Sequence, residues 1–471
     1  MIYLNTIAYF IFILMIGYYF ITNMQWYSYR LKRVIFHHTK VWWHFIYFLI
    51  PFISYELTSA LTDKKYGFTI VLIYTIFFIF WIKNLDKKLI FTGRVKRFFI
   101  ALLGFAIFIT FISKSFTIFI PLMLAWGVSS FIEKMLFNGF VKMAKKKIDN
   151  MDSLIIIGVT ASYGKTSIKN YLQETLKTKY KTYATPRSVN TFGGIVADIN
   201  QKLPDDTEVY IVEMGAREKG DIAEISTFIN PHYAVVGKIG SAHIEYFKSL
   251  ENIRDTKMEI IQSSRLKEAW IHHSANINPS DKIHQFGEDI SNIKASLDET
   301  SFEVDNIRYS TNLLGSFNAI NLTAVIKVAK ALDISDSSII KSFKNLKQVP
   351  HRLQRIDAGG KIILDDSFNG NIDGMMASFE LVKTYQGRKV IITPGLVEAN
   401  NELNIQVAKK VNEIFDIIIV SGDLNCPIFQ KEVDKDKFVR LKNKSDMEET
   451  LVTQTQIGDL ILFSNDAPSF I

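Results

Sequence analysis

The sequence predicts an α/β protein joined to a block of N-terminal transmembrane helices. Three observations point there. Five apolar stretches crowd the first 150 residues. From Ser153 onward, short apolar runs alternate with amphipathic helical patterns. A glycine-lysine-threonine loop directly follows the first of those runs.

The apolar stretches run roughly Ile2–Ile21, Val41–Leu61, Gly67–Ile82, Phe98–Ile112 and Ser115–Phe131. A spanning helix needs about 20 apolar residues and rarely fewer than about 17, so the third and fourth are short and the count is four or five. The first stretch lacks a basic n-region and further spans follow, which argues against a cleaved signal peptide. With five spans, one side collects 15 Lys and Arg, among them Arg30, Lys87, Arg97 and Lys146; the other collects Lys64, Lys65 and Lys114. The basic side is expected to face the cytoplasm, with everything after Lys147 inside a multi-pass inner membrane protein. The segment Phe131–Lys147, ending in three lysines, reads as a topological stop signal or as an interfacial helix on anionic lipid.

Charge divides along the same line. Residues 1–150 hold 18 Lys and Arg against 5 Asp and Glu, so the formal net charge of +8 belongs to the membrane part and the rest is mildly acidic. No basic stripe follows, which excludes a nucleic-acid partner. The single cysteine, Cys426, excludes an intramolecular disulfide, and no Cys/His metal spacing is present.

In the remaining chain the predicted strands are 153–159, 208–213, 233–239 and 268–272, with helices near 166–178, 220–229, 249–264 and 318–332. The pattern pauses near Gln348–Pro350. A second alternation has strands at 361–364, 389–393, 416–420 and 459–463, which puts a domain boundary at about 345–352. Leu154-Ile155-Ile156-Ile157 runs into Thr160-Ala161-Ser162-Tyr163-Gly164-Lys165-Thr166-Ser167. A buried strand, a tight loop and a helix N-terminus make a phosphate cradle: backbone N–H groups surround the anion, the lysine reaches terminal phosphates, and the threonine hydroxyl can ligate Mg²⁺. The strict spacing is not kept, since Val159 stands where the first glycine is usual.

Glu213 ends the apolar run Val209–Val212. Alone it would be a solvated strand-end acid; beside a phosphate loop it faces the ligand crevice and suits Mg²⁺. His243 follows the next apolar run, where a lone histidine is ordinarily structural. Lys257 alone would be an exposed helix lysine, and Asn318 an N-cap.

Taken in order, these segments resemble the Mur ligase family, the ATP-dependent amide-forming ligases of peptidoglycan precursor synthesis. The likeness covers about 153–471. It rests on the phosphate loop, Glu213-Met-Gly, Ile-Gly-Ser-Ala-His243 with Lys257-Met-Glu-Ile, Gly315-Ser-Phe-Asn318-Ala-Ile-Asn321, Pro350-His-Arg352-Leu-Gln and Leu364-Asp-Asp366-Ser-Phe-Asn369-Gly-Asn371. The last run is most similar to members that add D-alanyl-D-alanine to UDP-N-acetylmuramoyl-tripeptide. Beside the transmembrane region read from the apolar stretches (1–150), the resemblance implies a P-loop central domain (151–347) and a Rossmann-like C-terminal domain (348–471). It also implies roles. The loop 160–167 and Lys165 hold ATP phosphates. Thr166, Glu213, His243 and a carbamylated Lys257 hold Mg²⁺, with Lys165, Lys257 and His243 serving catalysis. Asn318, Asn321, Arg352 and Asp366 approach the nucleotide, and Asn190 with Thr191 contacts the acceptor.

The chain departs from the family pattern at Ala161 and His351, which stand for usual glycines, and at Phe317, which stands for a usual histidine. An alanine at 161 requires negative φ. The soluble N-terminal domain that usually holds the UDP-sugar is replaced by membrane helices. The expected acceptor is therefore a UDP-muramoyl-tripeptide or, as the alternative, that of a poly-glutamate capsule synthase or a lipid-linked muropeptide ligase. Membrane lipid and other cell-wall enzymes are expected partners. Readings from other classes fit less well: no tyrosine follows Tyr385 as a membrane autokinase would need, no Leu-Ser-Gly-Gly signature marks a transporter ATPase, and a scaffold needs none of these site residues.

Overall fold

The computed structural model describes residues 2–27, 29–36, 38, 40–61, 67–85, 87–113, 117–187, 189–242, 244–367, 371–397 and 399–465. The chain divides into two compact units, Met1–Val141 and Lys142–Ile471.

In the first unit the helix Ile2–Trp26 buries Tyr9, Phe12, Ile13, Ile16 and Tyr19 against helices Gly67–Lys83 and Gly93–Ser113. A Cβ at Gly17 would stand 2.5 Å from a Leu102 methyl, so glycine lets the first and Gly93–Ser113 helices approach. The second predicted span is helical over Trp42–His44 and Ile50–Leu61, separated by a π turn at Phe45–Leu49. Pro51 has no N–H to offer the Tyr47 carbonyl one turn back, and the Tyr74 hydroxyl donates to that carbonyl instead at 2.8 Å.

All five apolar stretches thus contain helix, but among the described residues three helices are long and apolar enough to cross a membrane: Tyr3–Trp26, Gly93–Ile112 and Phe119–Asp149. Helix Gly67–Lys83 is shorter, and the π turn divides the other. The expected fifth span begins later and runs further than its apolar residues. Helix Phe119–Asp149 continues through the lysine run, where the Lys147 ammonium pairs with Asp205 at 3.2 Å and the Lys145 ammonium donates to the Phe228 carbonyl at 3.4 Å.

The second unit holds two mainly parallel sheets. The first comprises β1 (Ile155–Thr160), β2 (Thr182–Ala184), β3 (Val209–Glu213), β4 (Tyr233–Val236), β5 (Glu268–His272) and β6 (Ile283–Phe286), all parallel in the order β2-β3-β1-β4-β5-β6. Helices cover this sheet, so its central strands read as unbroken apolar runs. Helices Lys165–Leu176 and Ser316–Ala331 bury Ile168, Tyr171, Leu172, Leu322, Val325 and Ile326 in one core with β1 and β3.

A small antiparallel sheet of β7 (Ile290–Ala295), β8 (Thr300–Val304) and β9 (Ile307–Thr311) was not among the expected elements. Its β8–β9 turn is Asp305-Asn306, both at positive φ, the backbone of a two-residue type I′ hairpin. The second large sheet contains β10 (Gln354–Ala358), β11 (Lys361–Asp366), β12 (Lys389–Thr393), β13 (Ile417–Ser421), β14 (Phe438–Leu441) and β15 (Leu460–Ser464), in the order β10-β11-β15-β12-β13-β14. Only β10, on the edge, is antiparallel. The segment between Lys344 and Gln354 connects the first large sheet's elements to β10 of the second.

Candidate active site

The site lies at the carboxyl ends of β1 and β3, the neighbouring strands at the centre of the first sheet. Register sets Val159 beside Glu213, so the loop leaving β1 and the acid ending β3 share one edge. Gly164 is the N-cap of helix Lys165–Leu176 at φ +84°, and a Cβ there would stand 2.9 Å from Asn321 Oδ1. Conformation and space both require glycine at this position. Ala161 is absent from the residues with positive φ, which meets the condition for a methyl group at that point of the loop.

The Ser162 and Tyr163 amides donate to the Lys238 carbonyl at 2.9 and 3.3 Å. The amides at the start of the following helix have no intrahelical acceptor and remain for an anion. Lys165 folds over its own loop, donating to the carbonyls of Ala161 (2.8 Å) and Ser162 (3.2 Å). Burial lowers its pKa to about 8 against the opposing pull of Glu213, with Arg352 lowering it further. Thr160 is buried and its hydroxyl donates to the Met214 carbonyl at 2.9 Å, tying β1 to the end of β3. Thr166 and Ser167 occupy the first turn of the helix.

Glu213 is buried. Its Oε1 accepts from the Asn190 amide at 3.1 Å; its Oε2 makes no hydrogen bond and has the Lys169 ammonium 3.4 Å away. Lys257 is buried in the last turn of helix Leu250–Met258. Burial pushes its pKa down to about 7, Lys165 lowers it further, and Asp221 and Glu259 pull it back. The Phe247 ring centre is 5.9 Å from its ammonium. His243 lies outside the described residues.

The Asn318 side chain sits in the core. Its Oδ1 accepts from the Tyr171 hydroxyl at 3.0 Å and its Nδ2 donates to the Leu314 carbonyl at 2.7 Å, so it binds helix to helix while Gly315 holds the N-cap position. Asn321 packs on Gly164. Thr191 caps helix Phe192–Gln201, its hydroxyl accepting from the Gly194 amide at 3.3 Å, and Asn190 accepts through its carbonyl from the Gly215 amide at 2.7 Å.

From the second sheet, Asp366 ends β11 and its carboxylate accepts from the Leu353 amide at 3.1 Å. Burial raises its pKa to about 7, against the pull of Arg352. Burial also lowers the pKa of Arg352, opposed by Asp366, Glu213 and Tyr171, which places this guanidinium in the electrostatic field of both halves. His351 and Leu353, on either side of it, adopt positive φ of 62° and 53°. A glycine would hold position 351 without strain. Here His351 bears the strain, and its Nδ1 lies 2.8 Å from Asp365 Oδ2.

The structure therefore gathers Lys165, Glu213, Lys257, Asn321, Arg352 and Asp366 around one crevice, while Asn318 and Thr191 have protein partners of their own. Lys169 escaped the sequence reading. The available signal was its place one turn after Lys165, beside the buried residues Ile168, Tyr171 and Leu172.

The Mur ligase middle domain family matches residues 159–329. The chain is similar to the UDP-N-acetylmuramoyl-tripeptide–D-alanyl-D-alanine ligase of Bacillus subtilis (strain 168), with 27% identity over 65% of this chain and 72% of the relative. The ligase of the same name from Escherichia coli (strain K12) is 25% identical over 52% of this chain and 59% of the relative. Among solved structures, MurF ligase from Thermotoga maritima in complex with ADP aligns with a TM-score of 0.62 and 25% identity, covering 70% of this chain and 80% of that one. MurF from Acinetobacter baumannii shares the fold, with a TM-score of 0.63, 21% identity, and 70% and 77% covered. Residues 159–329 thus match a Mur ligase middle domain, and the chain is similar to ligases of that family.

Proposed function

We propose that this protein is an ATP-dependent amide ligase of peptidoglycan precursor synthesis, joining D-alanyl-D-alanine to UDP-N-acetylmuramoyl-tripeptide. The observation that carries the reading is the convergence of Lys165, Glu213 and the buried Lys257 at one strand edge. A lysine whose pKa falls to about 7 is substantially neutral at cytoplasmic pH and can react with CO₂. The carbamate carries negative charge and suits a metal site, whereas an ammonium would repel the metal.

The γ-phosphoryl group of ATP passes to the acceptor carboxylate, giving an acyl phosphate and ADP. The incoming amine attacks the acyl carbon, phosphate leaves with the C–O bond, and an amide remains. Loop 160–167 with Lys165 holds the phosphates, Asn321, Arg352 and Asp366 flank the nucleotide, and Asn190 faces the acceptor. Asn318 supports the nucleotide side through its helix, and Thr191 sets the acceptor loop by its cap.

Among the described residues no three His, Cys, Asp or Glu side chains cluster as a metal group. Mg²⁺ would instead be held by the Thr166 hydroxyl, Glu213, His243 and carbamylated Lys257. Bound Mg²⁺ supplies positive charge against the phosphoryl oxygens.

Residues 151–347 and 348–471 serve as the central and C-terminal ligase domains, the latter Rossmann-like. Helices within 1–150 anchor them to the cytoplasmic face of the inner membrane, in contact with lipid and within reach of other cell-wall enzymes. A lipid-linked muropeptide acceptor is the second reading, favoured by the three helices of Tyr3–Asp149 that are long and apolar enough to cross a membrane. Incubating the full chain with ATP, Mg²⁺, D-Ala-D-Ala and either UDP-muramoyl-tripeptide or its lipid-linked form, and following ADP release, tests both. Release that is independent of any acceptor refutes them together.

A further inference from the structure

Lys169 has only 1% of its surface exposed, yet nothing in the phosphate-loop pattern calls for it. Its ammonium donates to the Thr185 carbonyl at 2.7 Å and the Arg187 carbonyl at 2.8 Å, and forms an ion pair with Glu213 Oε2 at 3.4 Å. The two carbonyls belong to the segment leading to Asn190 and Thr191. That segment returns to the end of β3 three more times. The Thr185 hydroxyl accepts from the Glu213 amide at 3.1 Å, Asn190 Nδ2 donates to Glu213 Oε1 at 3.1 Å, and the Asn190 carbonyl accepts from the Gly215 amide at 2.7 Å. A Cβ on Gly215 would fall 2.8 Å from the Asn190 side chain, so glycine leaves room for the amide that reaches Glu213.

We infer that Lys169 is a positioning residue that locks Thr185, Arg187 and Asn190 to Glu213, so that the acceptor-facing and metal-facing sides of the site hold one fixed geometry. A single buried cation serves both sides because two backbone carbonyls and a carboxylate converge on it. The inference rests on the proposed function only for the word acceptor. The lock itself is a property of the free chain.

The test uses the full chain with Lys169→Met, which keeps length and removes all three protons, and Lys169→Arg, which keeps charge and donors. Hydrogen exchange without nucleotide is expected to quicken at least tenfold at the amides of Glu213 and Gly215 in Lys169→Met, with β5 and β12 unchanged. Lys169→Arg recovers part of that protection. In turnover, the acceptor KM rises at least tenfold in Lys169→Met while the ATP KM stays within threefold; a merely structural loss would move both together. Exchange at 213–215 within twofold of the parent overturns the inference. If the parent turns over no muropeptide, the proposed function falls and the exchange measurement still decides the role of Lys169. Should Lys169→Met not fold, Lys169→Gln, which keeps one donor group, is measured with the same criteria.

Discussion

Replacing Lys257 by alanine probes the least ordinary feature of the site. Holding a protonated amine at this position costs about 5 kcal/mol relative to water, from the fall of its pKa from 10.5 to about 7. At that value about half of the side chains are neutral at pH 7, about a tenth at pH 6 and about nine tenths at pH 8. Only the neutral amine reacts with CO₂, so carbamate formation and activity rise as pH climbs through about 7. The same displacement acts on folding. The folded chain holds fewer protons than the unfolded chain between about pH 7 and 10.5. The penalty is therefore largest below pH 7 and disappears as pH rises through the ordinary lysine value. Lys257→Ala should lose at least a hundredfold in kcat, recover part of it with added acetate or formate, and lose the carbamate carbon signal after ¹³C-bicarbonate labelling. It should also be more stable to acid than the parent. Full turnover by Lys257→Ala without rescue, or a parent rate flat from pH 6 to 8, refutes the reasoning.

Gly164→Ala places a methyl group in a left-handed conformation against Asn321, and titration calorimetry should show ATP affinity reduced at least tenfold. Glu213→Ala leaves the Lys169 ammonium buried without its counter-charge; a loss of about 3 kcal/mol is expected in thermal melts of the second unit, together with loss of Mg²⁺-dependent ATP cleavage. His351→Gly should melt higher than His351→Ala by the equivalent of about 1 kcal/mol, because both remove the Asp365 contact and only glycine relieves the positive φ. In the first unit Glu56 Oε1 accepts from the amides of Ile118 and Phe119 at 2.6 and 3.0 Å, an N-cap supplied from another helix; Glu56→Ala should lower the melting temperature in detergent by the equivalent of about 1 kcal/mol or more.

The α/β alternation was legible where strands are covered on both faces, because burial on two sides leaves continuous apolar runs such as Ile155-Ile156-Ile157 and Ile417-Ile418-Ile419. The small antiparallel sheet was missed because its strands alternate: Phe302, Val304 and Tyr309 are buried while their neighbours include polar residues. Its Asp305-Asn306 turn was a readable signal. The membrane part was legible as apolar stretches but not as spans. Pro51 and the π turn interrupt one stretch, and helix Phe119–Asp149 carries on well past its apolar portion.

Residue order alone determined the family likeness, the phosphate loop and the division of charge, since these follow from local spacing and composition. Tertiary structure decided which of the named residues meet. Strand register set Glu213 beside the loop, and packing brought Arg352 from the connecting segment and Asp366 from the end of β11. Packing closed Asn318 into the core and gave Lys169 two carbonyl acceptors and one carboxylate partner that lie 16 to 44 positions away in the chain. Burial is a property of what surrounds a side chain, and no local pattern records that a lysine one turn along a helix ends buried.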